Sequence, residues 1–379
     1  MSKKRNADIT IDPIALKNLI TDNLNALWDT SVLGNTGKEN PANLIPPIMV
    51  WGPPGVGKST VIRDICKELK IGFIDVRLAQ REPVDMRGLP VPDNDSVKWL
   101  VSSEWPRDPN SRGIILFDEL TSADKTLQVA AYEFILDRRL GSLYKVPDQW
   151  YIMAAGNRAE DQAVACTMSS ALANRFLHVE IEPTLASFLA WAKKANIHPA
   201  VISYLQYRPH HLFIQEGENL QRGWPSPRSW ERVSTMLKII EANRRKSSLK
   251  YVIPGLIGRA TAAEFNAFYK TSYSNINQDI AESLVNGTPI VLPTQADMLH
   301  ACCGNVLYHI KTCKEPEKFP AMAENFLKFI LSLTNDFAAM TLNEAEDSLK
   351  GSKRWQIISN HPLFMQVKDK LQVKNPFKK

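Results

Sequence analysis

One stretch of the chain, Gly52-Pro53-Pro54-Gly55-Val56-Gly57-Lys58-Ser59, fits the phosphate-binding pattern G-x-x-x-x-G-K-[ST]. The apolar residues before it, 48–51, are typical of a buried strand. After it, apolar residues recur at helical spacing at Val61, Ile62, Ile65, Cys66 and Leu69. A strand, a glycine-rich loop and a helix in this order are the context that the pattern requires. We therefore predict a P-loop at this position.

The residue types in this loop suit a nucleotide and a metal ion. Glycines let the main chain wrap around a phosphate, and the helix N-terminus presents free N–H groups to its negative charge. We expect Lys58 to reach the β- and γ-phosphates and the Ser59 hydroxyl to ligate Mg²⁺. The alternative is a glycine-rich turn before an ordinary helix. The predicted cofactors are ATP and Mg²⁺, and the predicted nucleotide-binding residues are Gly52, Pro53, Pro54, Gly55, Val56, Gly57, Lys58, Ser59 and Thr60.

Two acidic residues follow a second apolar run, residues 113–117. Continuous runs of this kind are typical of central parallel strands, and ligands bind at the strand ends of open α/β sheets. Asp118 and Glu119 lie 60 and 61 positions after Lys58, which is the Walker B arrangement. We expect Asp118 to hold the Mg²⁺ shell and Glu119 to polarise the attacking water. The alternative is an ordinary strand end with solvated carboxylates.

Composition sets broad limits on the class of protein. The 379 residues are 44% hydrophobic and 23% charged, which is typical of globular proteins. A net charge of +6 permits nucleic-acid binding without arguing for it. The odd number of cysteines, five, without C-x-x-C pairs favours reduced thiols. We find no signal peptide and no apolar run long enough to span a membrane, so the predicted location is cytoplasmic.

The pattern of predicted elements changes once along the chain. Apolar runs alternate with helical periodicity up to about residue 183, which favours a parallel sheet with helices on both faces. Beyond that residue the pattern is helical. The predicted α/β fold therefore has four parts: an N-terminal helix and linker (1–43), an αβα nucleotide-binding domain (44–183), an all-helical lid (184–270) and a C-terminal helical extension (271–379).

Local signals give finer predictions. The turn-rich residues 93–96 lie between two apolar runs and predict an inserted β-hairpin at about 88–101. A second small hairpin is predicted at about 139–149. Ile253-Pro254-Gly255 is predicted to break the chain, and the Ser-, Asn-, Thr- and Pro-rich residues 271–295 are predicted to be a connector.

The order of these motifs resembles the AAA+ ATPases, and within them the MoxR-like branch. The resemblance covers about residues 43–267 and includes the two predicted hairpins as the family's insert in helix 2 and its hairpin before sensor 1. The fold that it implies is a P-loop AAA+ αβα domain followed by a helical lid. The segment after Tyr251 is less typical of the family.

The resemblance also implies roles for three further residues. Ala154-Ala155-Gly156-Asn157 resembles the strand end of sensor 1, which implies that Asn157 orients the nucleophilic water. Residues 172–176 resemble the arginine-finger segment, which implies that Arg175 points at the γ-phosphate of a neighbouring subunit. Residues 224–228 resemble sensor 2, which implies that Arg228 acts on the phosphates from the lid.

Each of these roles has an alternative. Asn157 could cap the following turn, and Arg158 competes with Arg175 for the finger role. Arg175 could instead be a surface ion-pair residue. Arg228 could be an ordinary residue of a first helical turn, although a cation there is electrostatically unfavourable.

Several other side chains are of types that form functional sites. A helical run of histidines and cysteines lacks the paired Cys spacing of zinc sites, and we expect its cysteines to be small buried hydrophobes. We expect His210 and His211 to be solvated, and leave open whether Trp99 and Trp105 pack locally or contact a partner. The members of the helical run are His300, Cys302, Cys303, His309 and Cys313.

The resemblance implies a mechanochemical ATPase. Such a protein hydrolyses ATP in a ring, here expected to be a hexamer, and remodels or activates a protein client in a chaperone-like way. MoxR-like proteins often act with a partner that carries a von Willebrand factor A domain. The alternatives are a nucleic-acid motor (a translocase or restriction-type enzyme) and a non-catalytic nucleotide switch. Nucleic acid is not the expected partner, because no basic stripe interleaved with aromatic residues is present.

Overall fold

The computed structural model describes residues 9–29, 40–158, 161, 168–215, 222–243, 246–270, 275–294, 296–313 and 315–372. The chain divides into two compact units, Met1–Ser187 and Phe188–Lys379, which we describe separately. The four boundaries predicted from the sequence remain predictions. Residues 1–8 and 30–39 of the predicted N-terminal helix and linker, and one of the five cysteines, Cys166, lie outside the described residues.

The first unit is built on a six-stranded parallel sheet with the order β1-β10-β2-β9-β6-β3. Two antiparallel ribbons, β4-β5 and β7-β8, stand apart from it. The strands among the described residues are β1 (Thr10–Ile11), β2 (Ile48–Trp51), β3 (Gly72–Arg77), β4 (Leu89–Asp93), β5 (Ser96–Leu100), β6 (Gly113–Asp118), β7 (Arg139–Leu140), β8 (Tyr144–Lys145), β9 (Trp150–Gly156) and β10 (Leu177–Ile181).

The central strands are buried on both faces, as their continuous apolar runs predict. In β6, Ile115 and Phe117 belong to the hydrophobic core that also holds the apolar side of α5 (Lys125–Asp137). The alternate residues Ile114 and Leu116 are fully buried too, and β6 is contacted by α3 (Lys58–Leu69). Helices therefore cover the sheet on two sides, which confirms the predicted α/β class.

The other helices of this unit follow local signals. Helix α1 (Pro13–Trp28) begins at a proline, and Asp12 accepts a hydrogen bond from the Ala15 N–H at 2.7 Å. It buries Leu16, Ile20, Leu24 and Leu27, which recur at helical spacing. The remaining helices are the short α2 (Pro41–Leu44), α4 (Pro83–Arg87) and α6 (Ser170–Ala173).

The second unit is helical among its described residues. Helix α7 (Leu185–Lys194) runs across the boundary between the units. A separate core joins the last six helices. The helices are α8 (Pro199–Tyr207), α9 (Pro227–Ala242), α10 (Leu249–Ile257), α11 (Arg259–Phe268), α12 (Asn275–Asn286), α13 (Ala296–Thr312), α14 (Phe319–Ser332), α15 (Asn335–Leu349), α16 (Lys353–Ser359) and α17 (Pro362–Gln372).

Two local predictions for this unit were wrong. The predicted connector at 271–295 contains α12, because Ile280 and Leu284 are buried one helical turn apart and their packing outweighs the polar composition. The predicted break at Pro254 lies inside α10, where Ile253 and Ile257 are buried. The chain turns instead at Gly258, whose φ of 76° suits glycine.

None of the helices among the described residues is both long enough and apolar enough to cross a membrane.

Gly72, at the start of β3, lies against the Trp150 side chain at the start of β9, and this close approach leads to a stability prediction. A Cβ on Gly72 would lie 2.4 Å from Cη2 of Trp150, so the indole occupies the space that a side chain would need. We expect Gly72→Ala to lower the free energy of unfolding by about 1–3 kcal/mol. In a urea-unfolding double-mutant cycle, Trp150→Phe should relieve part of this loss. Strict additivity of the two substitutions would contradict the proposed clash.

Candidate functional site

The sheet order brings three strand ends together. Strand β9 lies between β2 and β6, and all three run parallel, so their carboxyl ends share one edge of the sheet. The P-loop follows β2, Asp118 ends β6, and Asn157 follows β9. Three segments that lie far apart in sequence therefore meet at the edge where open α/β sheets bind ligands.

The P-loop leads directly into α3. Gly57 precedes the helix with a φ of 100°, a conformation that glycine adopts readily, and no side chain caps this helix end. The first N–H groups of α3 are therefore directed at the loop, which is the arrangement that binds phosphate.

The Lys58 ammonium is bound by oxygen atoms from two segments. The side chain is only 8% exposed. Its Nζ donates hydrogen bonds to the carbonyl oxygens of Gly52 (2.5 Å) and Pro53 (3.1 Å) and to Oδ1 of Asn157 (2.9 Å). A buried cation needs such partners because desolvation is costly. The ammonium thus links the P-loop to the end of β9.

The Ser59 hydroxyl donates a hydrogen bond to Oδ2 of Asp118. The other carboxylate oxygen, Oδ1, accepts from the Glu119 N–H at 2.9 Å. A hydroxyl and a carboxylate side by side are oxygen ligands of the kind that Mg²⁺ prefers. Both residues predicted to ligate the metal therefore lie together, and their chemistry fits that ion.

Glu119 has a left-handed main-chain conformation, with φ 57° and ψ 31°. Such a conformation is uncommon for residues other than glycine and costs energy. The Glu119 carboxylate has no hydrogen-bond or ion-pair partner among the described residues, and the side chain is partly exposed at the site's edge. Glu119 directly follows Asp118, and its predicted role as a base remains a prediction.

Thr121 is a site residue that the sequence analysis missed. Its hydroxyl accepts a hydrogen bond from the Asn157 N–H and donates one to the Asn157 carbonyl oxygen, each at 3.2 Å. Thr121 is 2% exposed, and a Cβ on Gly156 would lie 2.7 Å from its hydroxyl oxygen. The glycine therefore leaves room for the hydroxyl that holds the Asn157 main chain. A threonine two residues after Glu119 gives no sequence signal for this contact.

Asp75 is an acidic residue near Asp118 that the sequence analysis did not single out. It lies on β3, the neighbour of β6, and its carboxylate pairs with Arg63 at 3.1 Å. Burial raises the pKa of Asp75, and the nearby Asp118 carboxylate raises it further. Its Oδ1 is buried without a partner among the described residues. The sequence signal was present as an acidic residue inside an apolar strand.

Arg158 is held within its own unit. It makes ion pairs with Asp161, with a shortest distance of 2.8 Å, and with Glu180 of β10. The Asp161 side chain is almost fully buried. These contacts fix the guanidinium at the same edge of the sheet as the P-loop.

Arg175 lies at the opposite edge of the sheet. It precedes β10, whose first residue, Leu177, is in register with Ile48 at the start of β2. Arg175 is exposed, forms no ion pair among the described residues, and lines a cavity of about 300 Å³ with Pro46 and Pro47. The length of β2 separates it from its own P-loop by roughly 13 Å.

Arg228 lies in the second unit, in the first turn of α9. Ser226 caps this helix by accepting a hydrogen bond from the Ser229 N–H at 3.2 Å, and Pro227 is the first helical residue. The Arg228 side chain is exposed and has no ion-pair partner among the described residues. Its predicted role in phosphate binding remains a prediction.

Most of the cysteine, histidine and tryptophan side chains considered above lie in hydrophobic cores. Cys302 and Cys303 are fully buried, and burial raises the pKa of their thiols to about 12 and about 11. The prediction for His211 was wrong: it is buried and pairs with the Tyr204 hydroxyl at 2.6 Å. Trp105 is also buried. The described residues contain no group of three or more His, Cys, Asp or Glu side chains suited to a metal ion.

The comparison with protein families agrees with this geometry. Residues 48–178 match the family model described as "ATPase family associated with various cellular activities (AAA)". These residues are an AAA domain. The AAA domain is an ATPase domain, so the predicted ATPase activity and P-loop α/β fold are confirmed, and a nucleotide is the expected ligand. The MoxR-like branch is a finer assignment that this match does not reach.

Similar solved structures include a RuvB variant from Thermotoga maritima, with 14% identity and a TM-score of 0.37 over 72% of this chain and 79% of that chain. A structure of the same organism's RuvB Holliday junction branch migration motor has 13% identity and a TM-score of 0.35 over 71% and 75%. A candidate ATPase from Cytophaga hutchinsonii has 12% identity and a TM-score of 0.27 over 88% and 96%. No curated protein matches the sequence significantly.

The Thr121 contacts lead to a prediction about turnover. Thr121→Val keeps the shape of the side chain and removes both hydrogen bonds to the Asn157 main chain. A displacement of about 1 Å in a site can cost on the order of 100-fold in rate, so we expect kcat for ATP to fall by about 10- to 100-fold. Nucleotide affinity, measured by calorimetry, should change little. Thr121→Ser, the matched control, should retain most of the activity, and equal losses in both variants would contradict the role of the hydroxyl.

Proposed function

We propose that this chain is a MoxR-like AAA+ ATPase that hydrolyses Mg²⁺-ATP at the subunit interfaces of a ring and uses the energy to remodel or activate a protein client. The observation that supports this most is the meeting of Lys58, Asp118 and Asn157 at one edge of the sheet, with Arg175 exposed at the other. Such a site has every part except the arginine within a single subunit.

The chain's own residues suggest the chemistry. The α3 N-terminus and Lys58 bind the phosphates, and phosphate oxygens take the place of the oxygens that now accept from the ammonium. Glu119 accepts a proton from the attacking water. Asn157, released from Lys58, positions that water while Thr121 holds its main chain. Ser59 and Asp118 would hold Mg²⁺, which supplies positive charge to the transferring phosphate.

The position of Arg175 supports a ring. Its guanidinium cannot reach its own P-loop across the length of β2, yet it is exposed and unpaired among the described residues. In a head-to-tail ring, a heterologous interface brings one edge of a subunit against a different surface of the next. Arg175 would then complete the neighbour's site. Arg158, the alternative finger, is engaged by Asp161 and Glu180.

The MoxR-like assignment, the hexamer and the partner with a von Willebrand factor A domain rest on the resemblance of the motifs. The two ribbons, β4-β5 and β7-β8, occupy the positions of the inserts that the resemblance predicts. Arg228 would act on the phosphates from the lid. The chaperone-like role and the cytoplasmic location belong to the same proposal.

Two substitutions separate binding from hydrolysis. Lys58→Ala should abolish ATP binding, because it removes the charge that neutralises the β- and γ-phosphates. Glu119→Gln should bind ATP with near-normal affinity and turn over about 10²- to 10⁴-fold more slowly, because an amide cannot accept the proton. Equilibrium binding and phosphate release measure the two effects. A Glu119→Gln protein with wild-type turnover would remove Glu119 from the mechanism.

Mixed rings test the proposed finger. Arg175→Ala should bind ATP nearly normally but hydrolyse it about 10³- to 10⁵-fold more slowly, since the arginine stabilises charge on the transferring phosphoryl group. Mixing it with inactive Lys58→Ala protein should restore activity. Some interfaces then pair an intact P-loop from one variant with an intact Arg175 from the other.

Subunit exchange must be demonstrated separately, by energy transfer between labelled subunits. Arg158→Ala is the matched control. Its loss of ATPase activity should come from displacement of the carboxyl end of β9, and mixing with Lys58→Ala protein should not restore that activity. If exchange occurs and the Arg175→Ala mixture stays inactive, Arg175 does not act on a neighbouring subunit.

A further inference from the structure

The ribbon β4-β5 has two different edges. Its turn, Asn94-Asp95, is two residues long, so the flanking pair Asp93 and Ser96 is hydrogen-bonded and pairing alternates from there. The pairs Pro92–Val97 and Pro90–Trp99 are therefore the non-hydrogen-bonded ones. The N–H and C=O groups of these four residues point outward, away from the partner strand.

Proline closes one edge. Pro90 and Pro92 have no N–H, so β4 offers no donor at its outward positions, and prolines placed this way keep a strand from pairing with another chain. On β5 the same positions hold Val97 and Trp99, which each have an N–H and a C=O. The main-chain groups of both residues face away from β4, and β5 has no second neighbouring strand among the described residues. The ribbon is therefore open to a further strand on the β5 side alone.

The open edge is apolar. Val97 is 57% and Trp99 42% exposed, and both side chains lie on the same face of β5. Trp99 also lines a groove of about 420 Å³ with Val129 of α5 and Leu143 at the tip of the other ribbon. A group of exposed apolar side chains of this kind is suited to contact an apolar partner.

Charge decides what kind of strand fits. Lys98 lies between Val97 and Trp99 on β5, is exposed, and has no carboxylate partner among the described residues. If the β5 strands of two copies paired antiparallel through Val97 and Trp99, each Lys98 would face the other, and like charges directly opposite are destabilising. A strand with a carboxylate opposite Lys98 and apolar residues on either side is complementary instead.

We propose that the β5 edge binds an extended segment of a partner protein, in which apolar residues alternate with acidic ones, as an added third strand. The segment's main chain pairs with Val97 and Trp99, its acidic side chain faces Lys98, and its apolar side chains extend towards the Trp99 groove. This deepens the proposed function, because it names the chemistry of the client segment.

Peptides that are N-methylated on only one edge of their backbone test the main-chain contacts. The probe is a fluorescein-labelled octapeptide of alternating Val and Glu, measured by anisotropy with the full chain. In the proposed pairing the Val amides face β5 and the Glu amides face solvent. N-methylation of the Val amides should weaken binding by at least about tenfold, because it removes the ladder hydrogen bonds, whereas N-methylation of the Glu amides should have little effect. Equal binding of both methylated peptides, or no binding of the parent peptide, would overturn the proposal.

Variants of the chain test the same edge. Val97→Pro removes an outward N–H, as Pro92 does on the other strand, and should weaken peptide binding about tenfold. Val97→Thr keeps this N–H and should not weaken peptide binding. The Lys98→Glu variant should no longer bind the octapeptide of alternating Val and Glu. It should instead bind an octapeptide of alternating Val and Lys. If Val97→Pro alters only self-association and not peptide binding, the edge is a contact between copies and the proposal is wrong.

Basal ATPase activity should be unchanged in all three variants, since Val97 and Lys98 are not among the residues that contact Lys58 or Asp118. Peptide binding is measured with the Glu119→Gln protein, so it does not depend on turnover. Peptide binding without any ATPase activity in the wild-type chain would contradict the proposed function and leave the edge proposal standing.

Discussion

The hydrogen bonds of the Lys58 ammonium hold the site together. One cation joins the P-loop carbonyls of Gly52 and Pro53 to the Asn157 side chain at the end of β9. Because the cation is buried, its oxygen partners can be given up only when others replace them, and phosphate oxygens are the replacements that the P-loop is built to supply. In the proposed mechanism, phosphate binding at Lys58 would therefore change the surroundings of Asn157 directly.

The same arrangement limits what can move. The Asn157 main chain is held at both its N–H and its carbonyl by Thr121, which lies just after Glu119. The side chain of Asn157 can exchange partners while its Cα stays fixed. The left-handed conformation of Glu119 belongs to the same short segment, since Asp118 and Thr121 anchor it on either side. The segment Asp118–Thr121 thus contains the predicted base and one predicted metal ligand, and it also holds the main chain of Asn157.

Sequence reasoning is best suited to elements whose determining residues are adjacent in the chain. The P-loop and Asp118 were predictable because glycine pattern, strand and helix are local signals, and parallel strands place their ends together. The contact between Thr121 and Asn157 was not predictable, because the Thr121 hydroxyl binds the main chain of a residue that lies 36 positions away in the sequence. Helix α12 was missed for a related reason: Ile280 and Leu284 become buried only against other helices, which composition alone cannot reveal. The role of Arg228 stays a prediction.

The direction of the strands gives the two arginine candidates opposite positions. Arg158 follows the carboxyl end of β9, where the carboxylates of Asp161 and Glu180 hold its guanidinium. Arg175 precedes the amino end of β10, where no such carboxylate contacts it among the described residues. A parallel sheet cannot bring these ends together, so an arginine at the amino end can serve a phosphate only in another molecule. In the proposed ring, hydrolysis would then depend on assembly, because a lone subunit lacks one cation of the transition state.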